Sequence, residues 1–390
     1  MPTINRFADL HDDITAWRRD IHMHPELQFD VHRTAGIVAE KLKEFGCDEV
    51  VTGIGRTGVV GVIKGKTDKS GRVVGMRADM DALPIEEATG AEHSSTISGK
   101  MHACGHDGHT AMLLGAAQYL AETRNFDGTA VMIFQPAEEG GGGGREMVND
   151  GMMDRFGVQE VYGMHNMPGI PVGEFAIRPG PFMAAADLVE IDIKGKGGHA
   201  AMPHMAVDTT VVAAQIMLAL QTIASRNANP VDTIVLSITS FHTETDAFNV
   251  IPDTVKLKGT VRTFSTEMQD MAEKRMGEIV EHVAKAMGAE AVLNYQRNYP
   301  ATVNEASSTD KAVAVAREIV GEEKVVDNIE PVMGSEDFSF MLNARPGAFI
   351  FVGNGDTASV HHPEYDFNDE IIPIGCSYWA KLAEKLMPAA

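Results

Sequence analysis

Apolar side chains recur at Leu10, Ile14, Trp17 and Ile21, the spacing of one helix face, so a helix is predicted over residues 9–24. Pro25 lies just beyond its end. A second helix is expected over 34–45, stopping at Gly46. Short apolar runs at 73–76, 129–134, 158–164 and 348–352 read as buried strands, and 110–123 reads as a strongly apolar helix. The texture changes between Asp187 and about Asn298. Residues 188–194 alternate polar and apolar with period two, as do 233–239 and 254–263, the pattern of antiparallel strands with one wet face. Long helices are predicted over 208–225, with Val211, Ile216 and Leu220 among the apolar positions, and over 268–287. Two helices on one face of a small antiparallel sheet form an α+β unit of their own. The expected fold is therefore α/β, with a central, mostly parallel sheet flanked by helices over 1–184 and 298–390. An α+β domain is inserted over 185–297.

The chain's 390 residues suit two domains, or one large domain with an insertion, and 44% hydrophobic residues suffice for a sizeable core. A formal charge of -22 repels phosphate backbones and anionic lipid, so neither nucleic acid nor membrane is an expected partner. An anionic substrate would need a locally positive pocket, and metal ions are the obvious source. Residues 1–13 carry acids and no apolar core, unlike a signal peptide, and no apolar stretch reaches the roughly 20 residues of a membrane span. Cys47, Cys104 and Cys376 are too few and too scattered for a disulfide framework. A reducing cytoplasm is the expected compartment.

Candidate chemistry gathers first at Met101-His102-Ala103-Cys104-Gly105-His106-Asp107-Gly108-His109, where glycines let Cys104 and His106 turn toward one point. Alone, a Cys-x-His suits a solvated loop equally well. Similar groups recur downstream: Glu138/Glu139 before the glycine run 140–144, His165 and Asn166 directly after a strand, and His361/His362 one loop beyond another. Ends of parallel strands converge, and ligand sites in open α/β sheets lie there. One thiolate, three imidazoles and a carboxylate are enough for a metal pair, with a second carboxylate left free. Such a site suits metal-assisted hydrolysis with the free glutamate as general base and then acid. Thiolate favours zinc, while the mixed donor set also admits manganese, cobalt or nickel.

Other signals weigh less. Gly53-Ile54-Gly55-Arg56-Thr57-Gly58 fits G-x-G-x-x-G, but a β-branched run follows instead of a helix, so it reads as a hairpin turn. Asp79 and Asp81 end a strand, where loop capping is the ordinary explanation. His22 and His24 close a helix and read as structural. A Cys104 nucleophile would require an unmetallated thiol, and no G-x-S-x-G is present.

Taken together, several stretches resemble the M20 metallopeptidase family, in its amidohydrolase branch of hippurate hydrolases, N-acyl-amino-acid aminoacylases and auxin-conjugate hydrolases. They are residues 18–26, 77–84, 101–110, 134–139, 195–203, 249–252, 334–338 and 361–363, in family order along nearly the whole chain. The resemblance implies a di-metal catalytic domain and an inserted lid used for dimerisation, hence a homodimer or dimer-based oligomer. By motif position it implies Cys104, His106, Glu139, His165 and His361 as ligands of two divalent ions, and Glu138 as general base. His362 stands where the family usually has Asn or Ser. Asp79 stands where other branches carry a histidine ligand, so it is not assigned. His199 matches a lid residue that holds the developing oxyanion, commonly from a partner subunit. Read without the resemblance, His199 is a glycine-loop residue capping a helix. Asn249 and Arg262 match positions on the carboxylate side of the substrate. The implied activity is hydrolysis of the amide in small N-acyl amino acids. A dipeptidase or aminopeptidase of the same family and an inactive metal-binding relative are the alternatives.

Overall fold

The computed structural model describes residues 3–389. The chain forms two compact units. One takes in the chain up to Phe182, Val303–Pro331 and the chain from Asp337; the other comprises Met183–Thr302 and Val332–Glu336.

The first unit is built on an eight-stranded sheet. Its strands run in the order Glu49–Ile54, Gly58–Lys64, Thr129–Gln135, Val73–Asp79, Glu160–Pro168, Gly347–Gly355, Phe175–Ala176 and Val325–Val326. The four central strands, Thr129–Gln135 to Gly347–Gly355, are mutually parallel. Their side chains are buried on both faces, which explains unbroken apolar runs in place of alternation. The helix His106–Thr123 packs beside Ile372–Leu386 and His11–Met23 in one apolar core with Met112, Leu113, Leu120 and Trp379. Glu49–Ile54 and Gly58–Lys64 are an antiparallel hairpin, with Gly53 and Gly55 at positive φ near its turn. The glycine triplet thus turns a chain between strands, and no helix N-terminus follows it to meet a pyrophosphate.

The second unit holds a four-stranded antiparallel sheet, ordered Ile234–Thr243, Thr254–Thr263, Ala185–Lys194 and Glu290–Tyr299. Val189, Ile191 and Ile193 form a core with Val212, Ile216 and Leu220 of the helix Thr209–Thr222 and with Ala272, Met276 and Ile279 of Thr266–Ala286. Asp208 and Ser265 cap those helices through bonds from Thr210 N (3.0 Å) and Met268 N (3.2 Å). Buried Asp187 accepts from Gln269 Nε2 at 2.9 Å and from the Tyr295 hydroxyl at 2.6 Å, tying helix and edge strand to the centre.

Candidate metal centre

The parallel strands of the first unit deliver most of the candidate side chains. Val73–Asp79 ends at Asp79, with Asp81 two residues on, and Thr129–Gln135 leads into Glu138 and Glu139. Gly347–Gly355 leads to His361. His165 departs from the sequence reading, because it lies within a strand instead of after one. Pairing with Gly347–Gly355 continues from His165, opposite Phe351, to Pro168, opposite Gly355, so the ladder itself fixes the imidazole. His106 opens the helix that follows Gly105. Gly105 has φ +87, and a Cβ there would stand 2.2 Å from Asn166 Nδ2, so only glycine makes this turn.

Six candidates from five parts of the first unit come together. Cys104 Sγ lies 3.3 Å from His165 Nε2, and His361 Nε2 lies 3.2 Å from a Glu139 carboxylate oxygen. Donor atoms of Cys104, His106 and His165 lie within 4.8 Å of one another, as do those of Cys104, Glu139 and His361. The same holds for His106, Glu138 and Glu139. Cys104, His106, Glu138 and His165 are buried, whereas the His361 side chain is 52% exposed.

The residues present fit a metal on their own chemistry. Both ring nitrogens of His106 are buried without a hydrogen bond, a costly arrangement unless a cation takes the lone pair. The Asp79 and Asp81 carboxylates stand off at 3.6 and 3.5 Å. Burial opposes charge on His106, yet these carboxylates outweigh it and push the imidazole up to about 10. A divalent cation would answer the same negative field. His165 donates from Nδ1 to the Asn166 carbonyl at 2.5 Å, which leaves Nε2 with a lone pair facing Cys104. Burial, then the neighbouring His109, holds His165 well below its ordinary range, so it stays neutral and able to ligate. His109 is spent: Nδ1 donates to Asp79 at 2.6 Å, and Nε2 accepts from the Asn166 N–H at 2.9 Å.

Behind the glutamate pair stands a buried polar frame. Asp81 accepts from the backbone N–H of Glu138 at 2.9 Å and of Glu139 at 3.1 Å. Arg77 donates to Asp79 (2.7 Å), Gln135 (2.9 Å) and Asp337 (3.0 Å), all four side chains being buried. Asp337 also accepts from Gly144 N at 2.8 Å, and its own N–H reaches Glu138 Oε1 at 3.4 Å. Ala137 and His361 hold left-handed backbones, φ +54 and +65, which cost non-glycine residues energy and persist where the surroundings dictate them. One precedes the glutamate pair and the other is a candidate ligand. Asp79 and Asp81 are thus more than loop caps, and Asp337, Asn166 and Tyr365 join them. Tyr365 donates to Asn166 Oδ1 at 2.7 Å, and Asn166 Nδ2 donates to the Cys104 carbonyl at 2.7 Å. Two carboxylates just beyond the apolar run 73–76 are the available signal for the first pair. His22 is buried and bonded to Asp107 at 2.8 Å, away from any ligand role.

His199, Asn249 and Arg262 belong to the second unit. His199 is exposed on the short strand Gly198–His199, which pairs with Val250–Ile251, and its Nδ1 accepts from Ala201 N at 3.1 Å. Asn249 joins it through a bond from Ala200 N to its carbonyl at 3.0 Å. Arg262 is half-buried on Thr254–Thr263 and donates to Thr260 Oγ1 at 2.9 Å. As a folded unit, then, this part brings His199 and Asn249 side by side.

A mostly parallel α/β sheet whose strands and the loops around them gather a cysteine, imidazoles and paired glutamates defines a metallohydrolase of the two-metal kind. The chain belongs to peptidase family M20/M25/M40, whose pattern matches residues 75–385. It is 42% identical to the hippurate hydrolase of Campylobacter jejuni, over 99% of this chain and 100% of that one. It is 38% identical to an N-acetylcysteine deacetylase of Bacillus subtilis, over 96% of each. Among solved structures it resembles a dinuclear metal binding peptidase of the M20 family from Bacillus subtilis, with a TM-score of 0.85 and 34% identity, covering 98% of this chain and 100% of that one.

Proposed function

We propose that the protein is a metal-dependent amidohydrolase that splits small N-acyl amino acids into a carboxylic acid and a free amino acid. The observation that carries this reading is the pair of donor groups sharing Cys104, one with His106 and His165 and the other with Glu139 and His361, beside the carboxylate of Glu138. In this reading Cys104, His106, Glu139, His165 and His361 hold two divalent ions. The donor set favours zinc through its thiolate and admits manganese, cobalt or nickel. Bound there, the metal pair supplies the Lewis acidity that makes water nucleophilic near neutral pH and polarises the substrate carbonyl.

Glu138 takes a proton from the attacking water as its oxygen bonds to the acyl carbon. It passes that proton to the nitrogen as the C–N bond breaks, so the acyl group leaves as the acid and the amine as the free amino acid. Asp81 keeps the glutamate backbone in place, and the Asp337 N–H steadies Glu138 Oε1. His199 supplies the hydrogen bond to the developing oxyanion, and Asn249 and Arg262 face the substrate carboxylate.

The second unit serves in this reading as a lid through which two copies pair. Its outer strands, Ile234–Thr243 and Glu290–Tyr299, end the sheet with open ladder edges, and Val211 and Leu218 of the helix Thr209–Thr222 are 47% and 63% exposed. Three free cysteines, two of them buried, suit the reducing cytoplasm. No helix among the described residues is long and apolar enough to cross a membrane.

The test is amine release from a panel of N-acyl amino acids with added Mn²⁺ or Zn²⁺ and after chelation. Metal-dependent release is expected. A broad panel left uncleaved by protein shown to carry both ions would overturn the reading.

A further inference from the structure

We infer that Arg18 is a positioning residue for His361, the proposed metal ligand that the fold supports least. The inference rests on the two-metal reading above. His361 lies in the loop after the strand Gly347–Gly355, with its side chain 52% exposed and its backbone left-handed at φ +65. A ligand on an irregular loop is held only as well as that loop is anchored.

Three anchors tie the segment 361–369 to the segment 103–108, which carries Cys104 and His106. The His361 N–H donates to the Ala103 carbonyl at 2.7 Å. Phe367 packs on Gly108, where a Cβ would stand 2.1 Å from Phe367 Cε2. The third anchor is ionic. Arg18, on the helix His11–Met23 and wholly buried, donates from Nε to Asp369 Oδ1 at 2.8 Å and from Nη2 to Asp369 Oδ2 at 2.9 Å. Its Nη1 reaches Asp107 Oδ2 at 3.4 Å, and its guanidinium carbon lies 5.8 Å from the centroid of the Phe367 ring. One guanidinium from a third part of the chain thus spans both segments.

The two carboxylates share Arg18 unequally. Asp369 takes a fork of two parallel bonds, the strong charge-assisted arrangement, whereas the single bond to Asp107 is long. Asp107 also keeps His22 Nδ1 at 2.8 Å on the same oxygen. Arg19 reaches Asp369 too, at 3.0 Å, but its side chain is 44% exposed and its bond is worth little beside the buried fork. Loss of the fork therefore frees 361–369 before it disturbs Asp107. A lysine at position 18 keeps the charge that faces Asp107 yet offers one nitrogen in place of the fork. The ion that uses His361 then loses affinity, while the ion held by His106 and His165 keeps its own.

The experiment titrates zinc into the metal-free whole chain against a competing chelating dye, for the wild type, Arg18→Lys, Asp369→Asn, His361→Ala and the double variant Arg18→Lys/His361→Ala. His361→Ala should lose one of the two ions, which assigns that ion's dissociation constant. In Arg18→Lys and Asp369→Asn this constant should rise about 10–100-fold, while the other stays within about threefold. Adding Arg18→Lys to His361→Ala should move the remaining constant by less than about threefold, because the arginine acts through a ligand already removed. A purely structural tie would lower the melting temperature and leave both constants as in the wild type. That result overturns the inference, as does equal weakening of both ions or further weakening in the double variant. Asp369 is partly exposed, so its variant carries the test if Arg18→Lys fails to fold. No arm depends on amide cleavage, and a wild type that binds fewer than two ions sinks the two-metal reading itself.

Discussion

Asp81 accepts the backbone N–H of Glu138 at 2.9 Å, so one buried carboxylate fixes the residue proposed as the base without touching its side chain. Its other oxygen takes the N–H of Glu139 at 3.1 Å. An asparagine could accept only one of these bonds, and its amide N–H₂ would face the second donor. Asp81→Asn should therefore lower kcat by about 10–100-fold and weaken metal binding, with circular dichroism unchanged. Steady-state kinetics beside metal titration checks this; wild-type turnover in the variant would remove Asp81 from any positioning role.

Glu138 itself is separable from metal retention, because the five proposed ligands do not include it. Glu138→Gln keeps size and shape but loses the proton acceptor. Turnover should fall at least about a hundredfold while two ions remain bound. Metal analysis by mass spectrometry on the same preparation decides the point. Activity that survives with both ions present would mean another group accepts the proton.

How much of this was legible beforehand differs by residue. The period-two alternation of 188–194 appears in the structure as Val189, Ile191 and Ile193 buried with polar neighbours outward, because one sheet face meets helices and the other meets water. The edge strand Glu290–Tyr299 has no clear signature in the sequence, since its half-exposed pattern carries little contrast. Cys104, His106 and the glutamates stood out through residue type and turn chemistry. Arg77 and Asp337 did not, for their 3.0 Å bond joins positions 260 residues apart and only the fold brings them together. The apolar run 158–164 predicts a strand ending just before His165, whereas the strand runs on to Pro168, because its length depends on pairing with 347–355, which no local pattern reveals. Asp79 and Asp81 have the look of loop caps until burial shows that their carboxylates serve His109 and the glutamate backbone.

Stability should fall in alkaline solution through His22. Burial opposes its charge, but Asp107 at 2.8 Å and Glu87 at 3.4 Å prevail over burial and over nearby Arg18, raising the imidazole to about 9. A folded-state value above the unfolded one means that the stabilisation is complete below about pH 6.5 and is lost as pH rises through about 9. The loss should approach about 3 kcal/mol, measured as the denaturation midpoint from pH 6 to 10. His22→Gln should start lower and show a flatter decline over that window. An equally steep decline in the variant would place the titrating group elsewhere.

The last prediction concerns His199, which lies exposed in the second unit with its Nδ1 engaged by Ala201 N, so its Nε2 remains available to a substrate. His199→Ala should lose turnover while binding metal as the wild type does, because none of the proposed ligands is in that unit. If the histidine acts on a partner's substrate, each site in a dimer draws Glu138 from one copy and His199 from the other. Mixing His199→Ala with Glu138→Gln then yields hybrids in which one site has both residues intact and the other has neither. Random exchange makes half the dimers hybrid, so about a quarter of all sites should recover. Recovery would fix the action as crossing between subunits and would require the dimer for turnover. With subunit exchange demonstrated by mass spectrometry, an inactive mixture would confine His199 to its own chain.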